Sequence, residues 1–245
     1  MKSTRINSKM AFNNRHQVQE FHSAFELLIS NEPYSNIFSE KPQIVKLRYS
    51  LIHEEFMELC NAIDDNNLIE VIDALMDILY VLYGAAISYG VKTLINNYNS
   101  YAQSILDFNL HKFHNTVQTD NLKVQTALFD KILEKYSVSN TIEEIENHIN
   151  ELLVSTYYMC FLQGIDVDYC FNLVHKSNMS KLCHSKELAE KTVQWYKDNS
   201  TVYDSPDYKY NDELRLWIVF NKSTGKVLKS IEYSPVSFIE YLDRA

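Results

Sequence analysis

Six carboxylates define the chemistry open to this chain: Glu54, Glu55 and Glu58 in one run, and Glu70, Asp73 and Asp77 in the next. A helix turns about 100° per residue, so each run can be set on a helical wheel. In the first, Ile44, Leu47, Leu51, Ile52, Leu59, Ala62 and Ile63 form one apolar stripe. Glu55 lies at the centre of that stripe, Glu58 inside it and Glu54 at its edge. In the second, residues 68–82 are apolar on nearly every side, which is the pattern of a buried helix. Glu70, Asp73 and Asp77 nevertheless share a strip roughly 60° wide. A carboxylate turned toward a core is costly unless a cation or metal compensates it. Acids on two adjacent apolar helices therefore point to converging ligands for a hard cation. Mg²⁺, or Mn²⁺ in its place, prefers such oxygen donors.

Taken singly, EExxE and ExxD are ordinary solvated helix faces. It is their pairing, inside apolar stripes on neighbouring helices, that favours a metal site. A di-iron carboxylate bundle would require ExxH motifs, and neither acidic helix has one. Cys60, Cys160, Cys170 and Cys183 form no CxxC. They read as reduced thiols of an intracellular protein. Cys183 and His184, with His175, lack the second close pair that a zinc site needs. The net charge of -9 argues against sequence-independent binding of nucleic acid. With 4 Gly in 245 residues, the composition argues for helices and against a glycine-rich phosphate loop. No long uncharged apolar run suggests a membrane span or signal peptide.

The elements that must position the acids follow from periodicity and punctuation. Residues 48–90 read as two helices joined by a polar link at 64–67. Arg48 falls on the carboxylate face, two turns before Glu55, where it would orient an acid or meet an anion. Gly84 and Gly90 mark places to end or kink the second helix. Upstream, Val18, Phe21, Phe25 and Leu28 predict an amphipathic helix over 14–30, after a frayed stretch at 1–12. His22 sits on or beside its apolar stripe, as a hydrogen-bonded core histidine or a pocket residue. Pro33 and Pro42 make 31–43 a loop. Downstream, helices are expected over 93–113, 121–136 and 141–163, the last opened by a capping box of Thr141 and Glu144. Glu143, Glu144, Glu146 and Glu151 read as a solvated face, lacking an ExxD partner. YYMCFLQGIDVD echoes YGAAISYGV, which fits a decayed duplication or an inserted helical hairpin. A further helix over 166–182, capped by Asp166, places Phe171, Val174, Asn178 and Leu182 on one face. His175 and Lys181 flank that face. After an amphipathic helix at 186–198, LWIVF and KVLKS flank NKSTG as a β-hairpin. Lys226 and Lys229 there read as surface charges of an edge ribbon, or as cations that reach a bound triphosphate.

EExxE at 54–58 followed by ExxD at 70–73 resembles the motif of the all-α nucleoside triphosphate pyrophosphohydrolases. That superfamily holds MazG-like enzymes, dimeric dUTPases and phosphoribosyl-ATP pyrophosphohydrolase. FHSAF, RYSLIHEE, DALMDILYVLYG and HKSNMSK add to the likeness. It covers the first 90 residues and those from about 165 onward, and the tail resembles that of some giant-virus and bacterial MazG-like proteins. The resemblance implies an all-α bundle over 13–200, with 91–163 as insertion or decayed duplication, and a hairpin extension at 201–245. It implies hydrolysis of a nucleoside triphosphate, dUTP-like among the candidates, to monophosphate and pyrophosphate. Glu55, Glu58, Glu70 and Asp73 would hold Mg²⁺, with Asp77 or Glu54 as further ligand or base. Glu54 is the favoured base, because it stands at the rim of the stripe. Asn178 and Lys181 would meet base or sugar and phosphate, with His22 and Arg48 as further substrate residues. A cytoplasmic homodimer is expected, because the second acidic helix is apolar on nearly every side and one bundle leaves it uncovered, unless the inserted helices cover it within one chain; no nucleic-acid or membrane partner is expected. Two alternatives stand beside this: phosphoribosyl-ATP as substrate, and a non-enzymatic dimerisation scaffold, which leaves the buried acids unexplained.

Overall fold

The structure is a computed structural model that describes residues 8–93 and 113–243, with side chains from residue 13. The helix expected over 93–113 therefore lies outside the described residues. Helix α1 (Ser8–Ala24) starts inside the stretch expected to fray and stops six residues early. Glu26, at φ 52°, turns the chain out of helical conformation. The following loop contains one short turn of helix, α2 (Ile37–Glu40).

Helices α3 (Pro42–Asp64) and α4 (Leu68–Tyr89) form the antiparallel pair that carries all six acids. Pro42 opens α3 at a position where its missing N–H costs nothing. Between the two helices, Asn66 takes a left-handed turn at φ 53°. Asn67 then caps α4 by accepting from the Glu70 N–H at 3.4 Å. Such a short link forces the two helices to lie side by side. At the far end, Gly90 adopts φ 69°. A Cβ there would also stand 2.0 Å from the Glu32 carbonyl oxygen, so only glycine fits.

Gly84 behaves differently from the break that its type suggested. It sits inside an uninterrupted α4. It leaves space at the helix surface: a Cβ would lie 3.1 Å from His22 Nε2 and 3.2 Å from Arg48 Nη1.

Helix α4 is the axis of the bundle. By length and composition it could cross a membrane, but 83% of its apolar window is buried by the chain itself. α1 and α3 pack on it, as do α6 (Ile142–Gln163) and α7 (Val167–Met179), while α5 (Thr119–Ser137) pairs with α6 and touches α3. The expected capping box on α6 is present: Thr141 accepts from the Glu144 N–H, and Glu144 reaches back to the Thr141 N–H. α6 ends, as α4 does, on a left-handed glycine, Gly164 at φ 74°.

Helix α8 (Lys186–Asn199) and a two-stranded antiparallel sheet enclose a second, smaller core of Cys183, Leu188, Ala189, Val193, Tyr196, Val219 and Leu228. The sheet differs from the expected hairpin. LWIVF does form a strand, β2 (Leu216–Asn221), but its partner is the preceding β1 (Pro206–Asn211). The tight turn between them uses Arg215 at φ 57°. KVLKS makes only short contacts on the other edge of β2: Asn221 N–H to the Lys226 carbonyl at 2.8 Å, and Leu228 N–H to the Val219 carbonyl at 2.9 Å. The alternation in PDYKYN is weak, which hid β1. NKSTG does turn the chain, at Gly225 with φ 73°. The ribbon is anchored on the bundle by Asn211 Nδ2 donating to the Ala24 carbonyl at 3.0 Å, and by a Lys209–Glu26 ion pair at 2.7 Å. A final helical turn, α9 (Ile239–Leu242), places the Tyr241 hydroxyl where it accepts from the Asp166 N–H at 2.9 Å.

Candidate active site

The groove between α3 and α4 opens beside the end of α7 and the segment after Gly225. Glu55 from α3, Asp77 from α4, Asn178 from α7, Lys181 and Lys226 line one cavity there. Helical spacing explains the convergence. Glu55 and Glu58 stand one turn apart on α3, as do Asp73 and Asp77 on α4, so an antiparallel pair brings four acids face to face.

Their electrostatics show how closely they interact. Burial pushes the Glu55 carboxyl up to about 9, and the charges of Asp77, Glu58 and Glu54 add to it. Asp73 is raised to about 7 by burial, then by Asp77, Glu70 and Glu58. Asp77 is raised to about 6 by burial, against the pull of Lys181. Glu58 is raised by burial and by Glu54. On the cationic side, burial lowers Lys181 to about 8, while Asp77 works to keep it charged. The Lys181 ammonium donates to Asn178 Oδ1. Burial and the neighbouring charges thus favour the protonated form of Glu55.

This donor set fits a hard divalent cation: it is all oxygen, crowded and under-compensated. Among the described residues, no three carboxylate, imidazole or thiol groups already stand close enough together to enclose an ion. The fit therefore rests on the chemistry of the donors and on the mutual repulsion that a bound cation would relieve.

Glu54 is set apart from the other acids. Both its oxygens accept from Lys226 Nζ, at 2.9 and 2.8 Å. The lysine comes from the C-terminal ribbon, whose local spacing carries no sign of this contact. Pairing with Glu54 raises Lys226 despite its burial. Lys229 Nζ lies 4.7 Å over the Tyr233 ring, near enough to the site to oppose the shifts of Glu58, Asp73 and Asp77.

Arg48 lines the same cavity as Glu55 and Asp77 but does not orient an acid. It makes no ion pair with any described carboxylate. Instead it is buried at the inner part of the cavity, where its Nε donates to Ser88 Oγ at 3.0 Å and its Nη2 meets His22 Nε2 at 3.3 Å. His22 is the hydrogen-bonded core histidine of the two readings, with Nδ1 3.0 Å from the Leu28 carbonyl, and it lines the cavity as well. His175 meets the Tyr80 hydroxyl at 3.1 Å and Glu20 at 3.5 Å, and takes no place among the acids. The four cysteines are free. Ser88 is a site residue that the sequence motifs did not single out, and the pairing of Lys226 with Glu54 was not foreseen either. Ser88 looked like one more small residue on an apolar helix, and only its neighbours give it a role.

A family model for phosphoribosyl-ATP pyrophosphohydrolase matches residues 18–97, the span that holds the end of α1, all of α3 and α4, and all six acids. The chain is also similar over nearly its whole length to the uncharacterized protein L479 of Acanthamoeba polyphaga mimivirus. Identity is 33% over 252 residues, covering 97% of this chain and 98% of that protein. No solved structure matches the chain.

Proposed function

Since the chain belongs to the all-α nucleoside triphosphate pyrophosphohydrolase superfamily, we propose that it is a Mg²⁺-dependent enzyme cleaving a nucleoside triphosphate, of the dUTP type, to monophosphate and pyrophosphate. The observation that carries this reading is the convergence of acids from α3 and α4 on a cavity that Lys181 and Lys226 also line. A triphosphate is the ligand such a site suits, with cations for its oxygens and acids for the metal that accompanies it.

Glu55, Glu58, Glu70 and Asp73 would hold the metal, with Asp77 as a further ligand. When bound, Mg²⁺ or Mn²⁺ neutralises phosphate charge and makes water a better nucleophile. The chain's own groups do the rest. Lys181 and Lys226 draw the phosphate oxygens in as point charges. Water adds to the α-phosphorus as the bond to pyrophosphate breaks in line, and a carboxylate takes the released proton. Glu54 is suited to that step while Lys226 turns to the substrate, because the lysine then leaves its oxygens free. Asn178, tied to Lys181, sits beside the sugar and phosphates.

The test is a hydrolysis screen over ribo- and deoxynucleoside triphosphates with Mg²⁺, identifying products. Phosphoribosyl-ATP belongs in the panel, because the matching family model carries that description. Monophosphate plus pyrophosphate, lost in EDTA, is the expected result. Release of orthophosphate, or undiminished turnover in EDTA, overturns the reading.

A further inference from the structure

The inner part of the cavity is built around a buried cation that no described acid neutralises. Arg48 is 5% exposed. A guanidinium held away from water is costly without a partner for its charge. Its neighbours supply none. The Leu28 carbonyl can only accept hydrogen bonds, and His22 Nδ1 lies 3.0 Å from it, so that nitrogen carries the proton. Burial and the nearby Arg48 charge keep the ring neutral, which leaves Nε2 as an acceptor toward Arg48 Nη2. Ser88 Oγ donates to the same Leu28 carbonyl at 3.2 Å while accepting from Arg48 Nε. Both branches run one way, from the arginine to the carbonyl. Neither can be reversed, because one end only donates and the other only accepts.

Two of the five guanidinium N–H groups are used in this way. No described residue accepts from the remainder, Arg48 lines the cavity, and Gly84 leaves room beside it: a Cβ would come 3.2 Å from Nη1. Apolar Val18, Phe21, Leu51 and Val81 form walls around it. The acids lie two helical turns away, about 10 Å, along both α3 and α4. A nucleotide whose phosphates meet the acid end would thus bring its base to the arginine end.

We propose that Arg48 is a specificity-determining residue that donates to the carbonyl edge of the substrate's base. The site then takes bases ending in carbonyl acceptors, namely uracil, thymine and guanine, in preference to amino-ended cytosine and adenine. This rests on the hydrolase reading above for the direction in which the nucleotide lies. The physical reason is that an amino group brings a donor to a donor, leaving both unpaired in a dry pocket. Discrimination of that origin is large, reaching about 10⁴-fold in sites built to hydrogen-bond one edge.

The experiment compares kcat/KM of the full chain for dUTP, dTTP and dGTP against dCTP and dATP, in wild type, Arg48→Lys and Arg48→Gln. Wild type should favour the carbonyl-edged group at least about 100-fold. Lysine, still a pure donor, should keep the order. Glutamine, which both donates and accepts, should shrink the preference at least about ten-fold. Calorimetry of the monophosphates in EDTA runs alongside, so that absent hydrolysis and absent base reading are told apart. Tighter binding of dUMP and dGMP than of dCMP and dAMP supports the proposal even if no triphosphate is cleaved. Wild type preferring cytosine or adenine in either assay, or showing no preference in both, overturns it without reliance on a variant. An order unchanged in folded Arg48→Gln also overturns it.

Discussion

Replacing Glu55 with Gln should stabilise the metal-free protein. In the folded chain the Glu55 carboxyl is raised from an ordinary 4.5 to about 9, first by burial and then by Asp77, Glu58 and Glu54. The unfolded chain releases that proton near the ordinary value. Between the two values the folded state binds more protons than the unfolded one, so stability falls as pH rises. The destabilisation is absent below about pH 4.5, grows through neutrality and is complete near pH 9. At about 1.4 kcal/mol per pH unit, the ceiling at pH 7 is about 3 kcal/mol. Neighbouring acids share the effect and solvent at the half-buried site screens it, which leaves about 1–2 kcal/mol. Gln keeps the shape and removes the titration. For a chain of this size the gain corresponds to roughly 2–8 °C in melting temperature. The assay is thermal melting of both proteins in EDTA from pH 5 to pH 8.5. The difference should be small at pH 5 and widen with pH. With Mg²⁺ added, wild type should gain stability and Glu55→Gln much less. A variant that melts at or below wild type throughout, or a difference independent of pH, would refute the crowded-acid account.

Three further outcomes follow from the same geometry. Lys226→Ala removes an ion pair whose partners are 29% and 47% exposed. It should therefore cost under about 1 kcal/mol by thermal melting, yet lower kcat/KM for every triphosphate alike. Lys181→Ala should likewise weaken all triphosphates uniformly, whereas Asn178→Ala should change the ranking among sugars; steady-state kinetics on a ribo and deoxy pair separates the two. Light scattering at micromolar concentration should find a monomer rather than the expected homodimer. The reason for pairing was an uncovered α4, and α6 and α7 cover it within one chain.

The local code of this protein is strong where a single helix has to satisfy itself. Asn67, Thr141, Asp166 and Ser185 cap helices because their side chains meet N–H groups three residues on, and Gly90 ends α4 because its φ is positive. The acids were legible for a related reason: a carboxylate inside an apolar stripe conflicts with its surroundings, and that conflict is visible on one helix wheel. So the helical class, the paired acidic helices and the likeness to the pyrophosphohydrolases could be read without coordinates. Tertiary structure alone decided which groups meet across long stretches of chain. Lys226 reaches Glu54 across 172 positions because a turn at Gly225 and the edge of β2 carry it there. β1 was missed because PDYKYN gains its order from the register with β2 and not from its own alternation. Arg48 shares a wheel position with the acids, but a wheel gives direction and not depth. Two turns along α3, the neighbours are no longer Asp77 and Lys181 but His22, Gly84 and Ser88 from two other helices. Whether a charge faces an acid, water or an apolar pocket depends on those neighbours, and they are brought together only by packing.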